Sequence, residues 1–453
     1  MLSKSTNEKF IVTFKACSSL LMICRLLFTA EAYVGFPTKS EIGVPRTSIS
    51  KPKLPIKDTT KIGSLTVPSV GTGTISWSSD SVFDIESKEL EKVVSTAYKN
   101  NAAFFDTAER YGSHWKTAFG IGYGETEQLA SKYIKTAVRS EEEETAMTGM
   151  KINQVKPVVA TKFTPIPWRT TARSVVDACE QSCRNLGVDQ IDLYQVHMPD
   201  IVQPFRSFGK VESKDEIYWE GLAECYNRGL VKNVGVCNYG PTLVEQCQKY
   251  LATKGVPLAS NQISFSLLGR HDGSQETLDK CNELGIKTLA CYPFAMGLLT
   301  GKYTKAVSSS HDTNGNSKLI LPTELSSLSA SKKTNSEMLD LERYAYGDGL
   351  TIPQGGIQPL LITMASIAKK RNKTISQIAL NYIISKGAIP IPGCRTTTQL
   401  EDNLGAMGWR LSKTEVKMLE LEAEKLGFGF DGAGFKRTSE KFVGYGVEKW
   451  TLD

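Results

Sequence analysis

The chain predicts a (β/α)8 barrel of the TIM type, with long loops after strands two and seven. Two observations carry this. From residue 62 onwards, eight short β-branched runs alternate with amphipathic helical patterns, the signature of a parallel sheet wrapped in helices. Each run also ends in a polar or glycine-containing junction, as barrel strands do where they meet the loops that build a site. An open doubly wound sheet would carry a G-x-G-x-x-G turn after its first strand, and GTGTISW does not supply one.

In order, the runs are VPSVGTGT, AAFFDTA, PVVATKF, IDLYQVH, VKNVGVCN, ASNQISFS, IKTLACYPF and AIPIPGC. Between them lie helical patterns such as SKELEKVVSTAYKNN, TARSVVDACEQSCRNLG, PTLVEQCQKYLATKG and SQETLDKCNELG. Three stretches exceed a minimal barrel. GSHWKTAFGIGYG (112–124) lengthens the loop after strand two, and RSEEEETAMTGMKINQVK (139–156) reads as an acidic, solvated loop. Residues 304–355 are Ser-, Asn- and Gly-rich and fall between strand seven and its helix. The domain reading is a leader over 1–61, a barrel over 62–425 and a Gly- and aromatic-rich tail over 426–453.

Charge separates the leader from the body. The 453 residues carry a net charge of +6, and residues 1–61, with ten Lys/Arg and four Asp/Glu, account for all of it. A neutral body has no electrostatic footprint for nucleic acid or an anionic membrane. The leader starts basic, runs through the apolar FIVTFKACSSLLMICRLLFTAEA, and has small residues at Ala30 and Ala32, a signal-peptide pattern. The Ser-, Thr- and Lys-rich, acid-poor stretch that follows is transit-like, so the leader reads as bipartite and the destination as a plastid, with cytoplasm or another organelle as alternatives. No uninterrupted apolar stretch reaches about 18 residues, the length of a spanning helix. Eight cysteines lie beyond the leader without C-x-x-C or metal-ligand spacing, which predicts thiols and no metal site.

In a barrel frame, Asp106 ends strand two, Lys162 ends strand three and His197 ends strand four, while Tyr111 follows on the loop after strand two. Singly, each has an ordinary structural reading as a cap, an ion pair or a satisfied strand-end histidine. Together at one mouth they make a proton-donating device. A phenol of pKa about 10 is a poor acid at neutral pH. A nearby ammonium lowers that pKa, and a carboxylate keeps the ammonium charged and placed. A histidine can hydrogen-bond a carbonyl oxygen as negative charge develops on it. With no flavin or metal motif present, the hydride falls to a nicotinamide cofactor.

On these residues the chain resembles the aldo-keto reductase family, and within it the plastid-type branch. DTAERYG, ATKF, LYQVHMPD, GLVKNVGVCNYG, NQISFSLL and IPIPGCRTTTQLEDNLGA match that family's segments in colinear order over about residues 62–425. TKFTPIPWR, GVPLASNQ and GWRLSKTEV point to the branch. The resemblance implies that Asp106, Tyr111, Lys162 and His197 form the catalytic tetrad, with Tyr111 the general acid. It implies that Asn238 and Gln262 hold the nicotinamide carboxamide and that Gly393, Arg395, Gln399 and Asn403 grip the adenosine end. Gly73, Thr74, Cys237, Cys291 and Tyr292 complete the expected cofactor-binding set. Arg395 favours NADPH, because a guanidinium fits a 2′-phosphate in a bidentate way.

Two departures from the family pattern stand out. Cys237 replaces the serine before Asn238, and A-C-Y-P replaces A-Y-S-P, so Cys291 stands where an aromatic residue would stack on the nicotinamide. That loss costs about 1 kcal/mol of aromatic contact unless Tyr292 moves in. With Cys394, these thiols line the cofactor segments, and Lys162 and Arg395 are expected to favour their thiolates and make them oxidation-sensitive. Trp77, Trp115 and Trp168 are candidates for lining the mouth around a small carbonyl substrate. Two rival readings are a nicotinamide-sensing regulatory subunit on the same fold and an aldolase using Lys162 as a Schiff base.

Overall fold

The computed structural model describes residues 58–78, 87–111, 123–149, 155–200, 213–270, 273–295, 297–301 and 357–426. A two-residue antiparallel pairing of Ser310–His311 with Ser317–Lys318 is also described. The leader through residue 57, the loop 112–122 with Trp115, the rest of 304–355 and the tail from 427 lie outside the described residues.

An antiparallel hairpin of β1 (Thr59–Ile62) and β2 (Leu65–Pro68) precedes the sheet. Eight parallel strands follow: β3 (Thr72–Gly73), β4 (Phe104–Asp106), β5 (Val158–Phe163), β6 (Ile191–Val196), β7 (Val231–Cys237), β8 (Leu258–Ser264), β9 (Lys287–Cys291) and β10 (Ile389–Pro390). They pair in sequence order, and a parallel bridge between Gly73 and Gly393 joins the first strand to the last. The expected (β/α)8 barrel is therefore the observed one. The helices are α1 (Ser87–Lys99), α2 (Glu125–Thr148), α3 (Ala172–Leu186), α4 (Asp215–Asn227), α5 (Pro241–Thr253), α6 (Ser274–Glu283), α7 (Gln358–Arg371), α8 (Ile375–Ser385), α9 (Thr397–Leu404) and α10 (Lys413–Glu424).

The two-residue period of the strands sorts side chains between two cores. Phe104, Ala160, Leu193, Leu289 and Ile391 point inward and meet Ile62, Leu65 and Val67 of the hairpin, which plugs the N-terminal end. Their neighbours Phe105, Phe163, Tyr194 and Ala290 face outward into three clusters beneath the helices. The same period sends Asp106, Lys162 and Cys291 inward at the opposite end, two residues beyond Phe104, Ala160 and Leu289.

At the seam, the Gly71 and Gly73 amides donate to the Pro390 and Pro392 carbonyls at 3.0 and 2.9 Å. A Cβ on Gly71 would lie 2.5 Å from Ile391 Cδ1 and 2.9 Å from Phe104 Cδ1, so a side chain there would force the seam apart.

Two expectations are corrected. Residues 139–148 are not loop: they form the C-terminal part of α2, which ends at Gly149 with φ 70°. That segment contains no Gly or Pro and is rich in Glu and Ala, so helix propensity prevails over solvated charge. In VPSVGTGT, only Thr72 and Gly73 belong to the barrel, whereas Val67 and Pro68 belong to the hairpin. Packing also begins at Asp58, whose carboxylate accepts from the two terminal nitrogens of Arg410 at 2.7 and 2.8 Å and from the Gly408 amide at 2.7 Å. Burial alone would raise that carboxyl, but these contacts and the Ser69 hydroxyl outweigh it and bring the pKa to about 2.

Candidate active site

Asp106, Tyr111, Lys162 and His197 converge at the C-terminal mouth. Lys162 has no exposed surface, Asp106 is 2 % exposed and Tyr111 8 %, while His197 is half-buried. The Lys162 ammonium donates to Asp106 Oδ2 at 2.6 Å, to the Thr107 carbonyl at 2.8 Å and to the Tyr111 phenol oxygen at 3.1 Å. Three donors meet three acceptors, so the buried cation is fully satisfied. Asp106 Oδ1 accepts from Gln262 Nε2 at 2.9 Å. The rings of Tyr111 and His197 meet edge to face, 5.7 Å apart.

The loop carrying Tyr111 is held by contacts that the sequence did not announce. The Glu109 carboxylate accepts from the Thr164 amide at 2.6 Å and from both terminal nitrogens of Arg169, which tethers the loop after β4 to the loop after β5. The Thr126 hydroxyl, at the start of α2, donates to the Tyr111 carbonyl at 3.3 Å. Asn238 adopts φ 61° at the end of β7 and donates its side-chain N–H to the His197 carbonyl at 3.2 Å. Asparagine tolerates that left-handed conformation better than most residues.

Burial, and then the positive charges of Lys162 and Arg110, push the His197 imidazole well below its ordinary pKa of 6.5. The ring is therefore neutral at neutral pH, and its Nδ1 is buried without a hydrogen-bond partner. In acid, the unfolded chain takes up a proton before the folded one does. The stability tied to neutral His197 is thus complete above about pH 6.5 and is lost as the pH falls below it. Urea denaturation between about pH 7 and pH 5 should show this acid slope, and His197→Gln should flatten it. Equal slopes in the two proteins would remove His197 as its source.

The residues expected at the adenosine end, Gly393, Arg395, Gln399 and Asn403, lie on or just before α9. The Gly393 Cβ direction is open, with nothing within 4 Å. The Trp77 indole donates to the Cys394 carbonyl at 2.8 Å, and the Thr396 side chain caps the Gln399 amide at 3.2 Å. The Gln399 side-chain oxygen accepts from the Arg395 amide at 2.9 Å. Arg395 is half-buried and Asn403 buried near the other end of α9. Gly73 and Thr74 lie at the seam, and the Thr74 amide and hydroxyl both donate to the Asp106 carbonyl. One neighbour was missed: Glu89, at the start of α1, accepts from the Thr397 amide and hydroxyl at 3.0 Å each.

Three expectations fail here. The thiols are not activated: burial pushes Cys237 well up and carries Cys291 and Cys394 to about 12, and for Cys237 and Cys291 the nearby Asp106 opposes Lys162. Tyr292, at φ 52°, packs against the outer apolar cluster under α7 and α8, so Cys291 presents its thiol, and no ring, toward Lys162 and Asp106. Trp77 is 3 % exposed and packs on Phe105 and Tyr133, which makes it core, whereas Trp168 is 56 % exposed. The eight described cysteines are free thiols, and no metal-binding cluster occurs among the described residues.

A buried acid–lysine–phenol cluster thus stands beside a neutral histidine at the barrel mouth. The chain belongs to the aldo/keto reductase family, whose model matches residues 69–422. It is 34% identical over 371 residues to the chloroplastic pyridoxal reductase of Arabidopsis thaliana, spanning 81% of this chain and 86% of that one. A probable aldo-keto reductase of Glycine max is 25% identical over 337 residues, spanning 74% and 79%. Among solved structures, the Gluconobacter oxydans glycerol dehydrogenase superposes with a TM-score of 0.55 at 19% identity, covering 82% of this chain and 96% of that one. A Bombyx mori aldo-keto reductase in complex with NADP gives 0.52 at 19%, covering 80% and 92%. At these identities the superpositions speak to fold.

Proposed function

We propose that this protein is an NADPH-dependent reductase of small aldehydes of the pyridoxal class, with Tyr111 as general acid, and that it works in a plastid. The observation that carries the mechanism is the 3.1 Å contact between the Lys162 ammonium and the Tyr111 oxygen, with Asp106 on the other side of Lys162 at 2.6 Å. The ammonium stabilises the phenolate that remains after proton transfer. His197, neutral and beside the Tyr111 ring, orients the carbonyl oxygen by donating a hydrogen bond to it. Tyr111 then delivers its proton to that oxygen. The hydride for the carbonyl carbon would come from the nicotinamide held at this mouth.

The open strand end at Gly393, the N-terminus of α9 and Arg395 fit the adenosine phosphate, and Asn238 and Gln262 fit the carboxamide. The chloroplastic pyridoxal reductase among the relatives supports both the substrate class and the compartment. The satisfied Lys162 ammonium speaks against a Schiff base, because each of its donors already has an acceptor.

The test is NADPH oxidation by the purified protein with pyridoxal and a panel of aromatic and aliphatic aldehydes, with the alcohol identified as product. Turnover of none of them would end the proposal. Arg395→Ala should weaken NADPH by about 1.5–3 kcal/mol while leaving NADH nearly unchanged, as read by fluorescence titration. Equal losses for the two cofactors would take Arg395 off the 2′-phosphate.

A further inference from the structure

A cavity of about 700 Å³ lies between α2 and the strand ends that are farthest from the tetrad. Topology sets its place. Val155, Lys156 and Pro157 lead into β5, and Val188 and Gln190 lead into β6, so the cavity opens at the N-terminal ends of these strands. Lys162 and His197 stand at the C-terminal ends. The size suits a small molecule, and the lining is largely aliphatic, with Ile134, Val138, Val159 and Leu186 among its walls. Val155 and Val188 are 47% and 42% exposed and make an apolar entrance.

One group in this lining is out of place. Glu141, on α2, is 4 % exposed, and both its carboxylate oxygens are buried with no hydrogen-bond partner. Tyr98 lines the same cavity, and burial, followed by the charges of Glu141 and Glu142, raises the pKa of its phenol. The other ionisable lining groups are accounted for. Lys135, Glu142 and Lys156 are exposed, and Asp192 accepts from Lys232 at 2.7 Å and from the Val159 amide at 2.9 Å. A buried carboxylate without a donor costs stability and asks for a partner from outside. A lone carboxylate is too poor a ligand set for a metal ion, whereas one ammonium would satisfy it.

We infer that this cavity is a second small-molecule site, taking an amphipathic primary amine whose ammonium pairs with Glu141 and whose hydrocarbon body lies along Ile134, Val138 and Leu186. The site is independent of the carbonyl chemistry, so it can be probed with the catalytic mouth saturated.

Octylamine, octanoate and 1-octanol would be titrated calorimetrically into the full chain with NADPH saturating and no aldehyde present. Octylamine is expected to bind with one-to-one stoichiometry, and octanoate to give no binding. Glu141→Gln should weaken octylamine by about tenfold or more while leaving aldehyde reduction unchanged. Val138→Trp, which fills the cavity and keeps the charge, should abolish binding, and it decides the matter alone if Glu141→Gln does not fold. No octylamine binding, equal binding of octylamine and octanoate, or binding untouched by either substitution would overturn the site.

Discussion

Tyr111→Phe is expected to lower carbonyl reduction by roughly 10²–10⁴-fold, the usual contribution of a general acid, and to leave NADPH affinity within a factor of about two. Only the hydroxyl is removed. The ring keeps its edge contact with His197, and the backbone remains tied through Thr126. Lys162 still has Asp106 and the Thr107 carbonyl as acceptors, so the cation is not orphaned. Steady-state rates and a cofactor titration on the same preparation separate the two effects. Wild-type turnover in the variant would assign the acid elsewhere, and a parallel loss of cofactor would make the phenol a binding group.

Lys162→Met is expected to cost both activity and stability. Removing one partner of a buried ion pair leaves the other charged and uncompensated, typically a loss of about 3–5 kcal/mol. Among the described residues, Asp106, at 2 % exposure, would retain the Gln262 amide alone as its side-chain donor. The double variant Asp106→Asn/Lys162→Met should regain much of that stability and none of the activity, because it removes the stranded charge without restoring the relay. Urea denaturation of the wild type, the single variant and the double variant closes the comparison. A double variant no more stable than Lys162→Met would mean that the cost lies in lost packing, with the charge immaterial.

The parts of the fold and site that were legible are those encoded by short-range pattern. Strand period and junction chemistry located most of the barrel strands and set Asp106, Lys162 and His197 at their ends. What was misread involved competing local signals. The acidic run after Arg139 carries two opposed signals, surplus charge and a lack of helix breakers, and the second prevails. Pro68 and the glycines after it blurred where the hairpin stops and the first barrel strand starts. The tethers were out of reach for a different reason. Glu89 meets Thr397 across 308 residues, and Glu109 meets Arg169 across 60, and neither pair leaves a periodic trace. The cysteine expectation fails because burial opposes the thiolate more strongly than a nearby cation favours it.

The seam between β3 and β10 bears on how the chain reaches its native state. The ring is closed by partners from opposite ends of the barrel, and the Trp77 indole that clasps Cys394 spans 317 residues. During synthesis the first strand emerges long before the segment that completes it, so until then the sheet is open, with an unpaired edge at each end. Closure is the most non-local event in the fold and therefore a slow one. It calls for shielding of the nascent edges until the segment around Gly393 has been made.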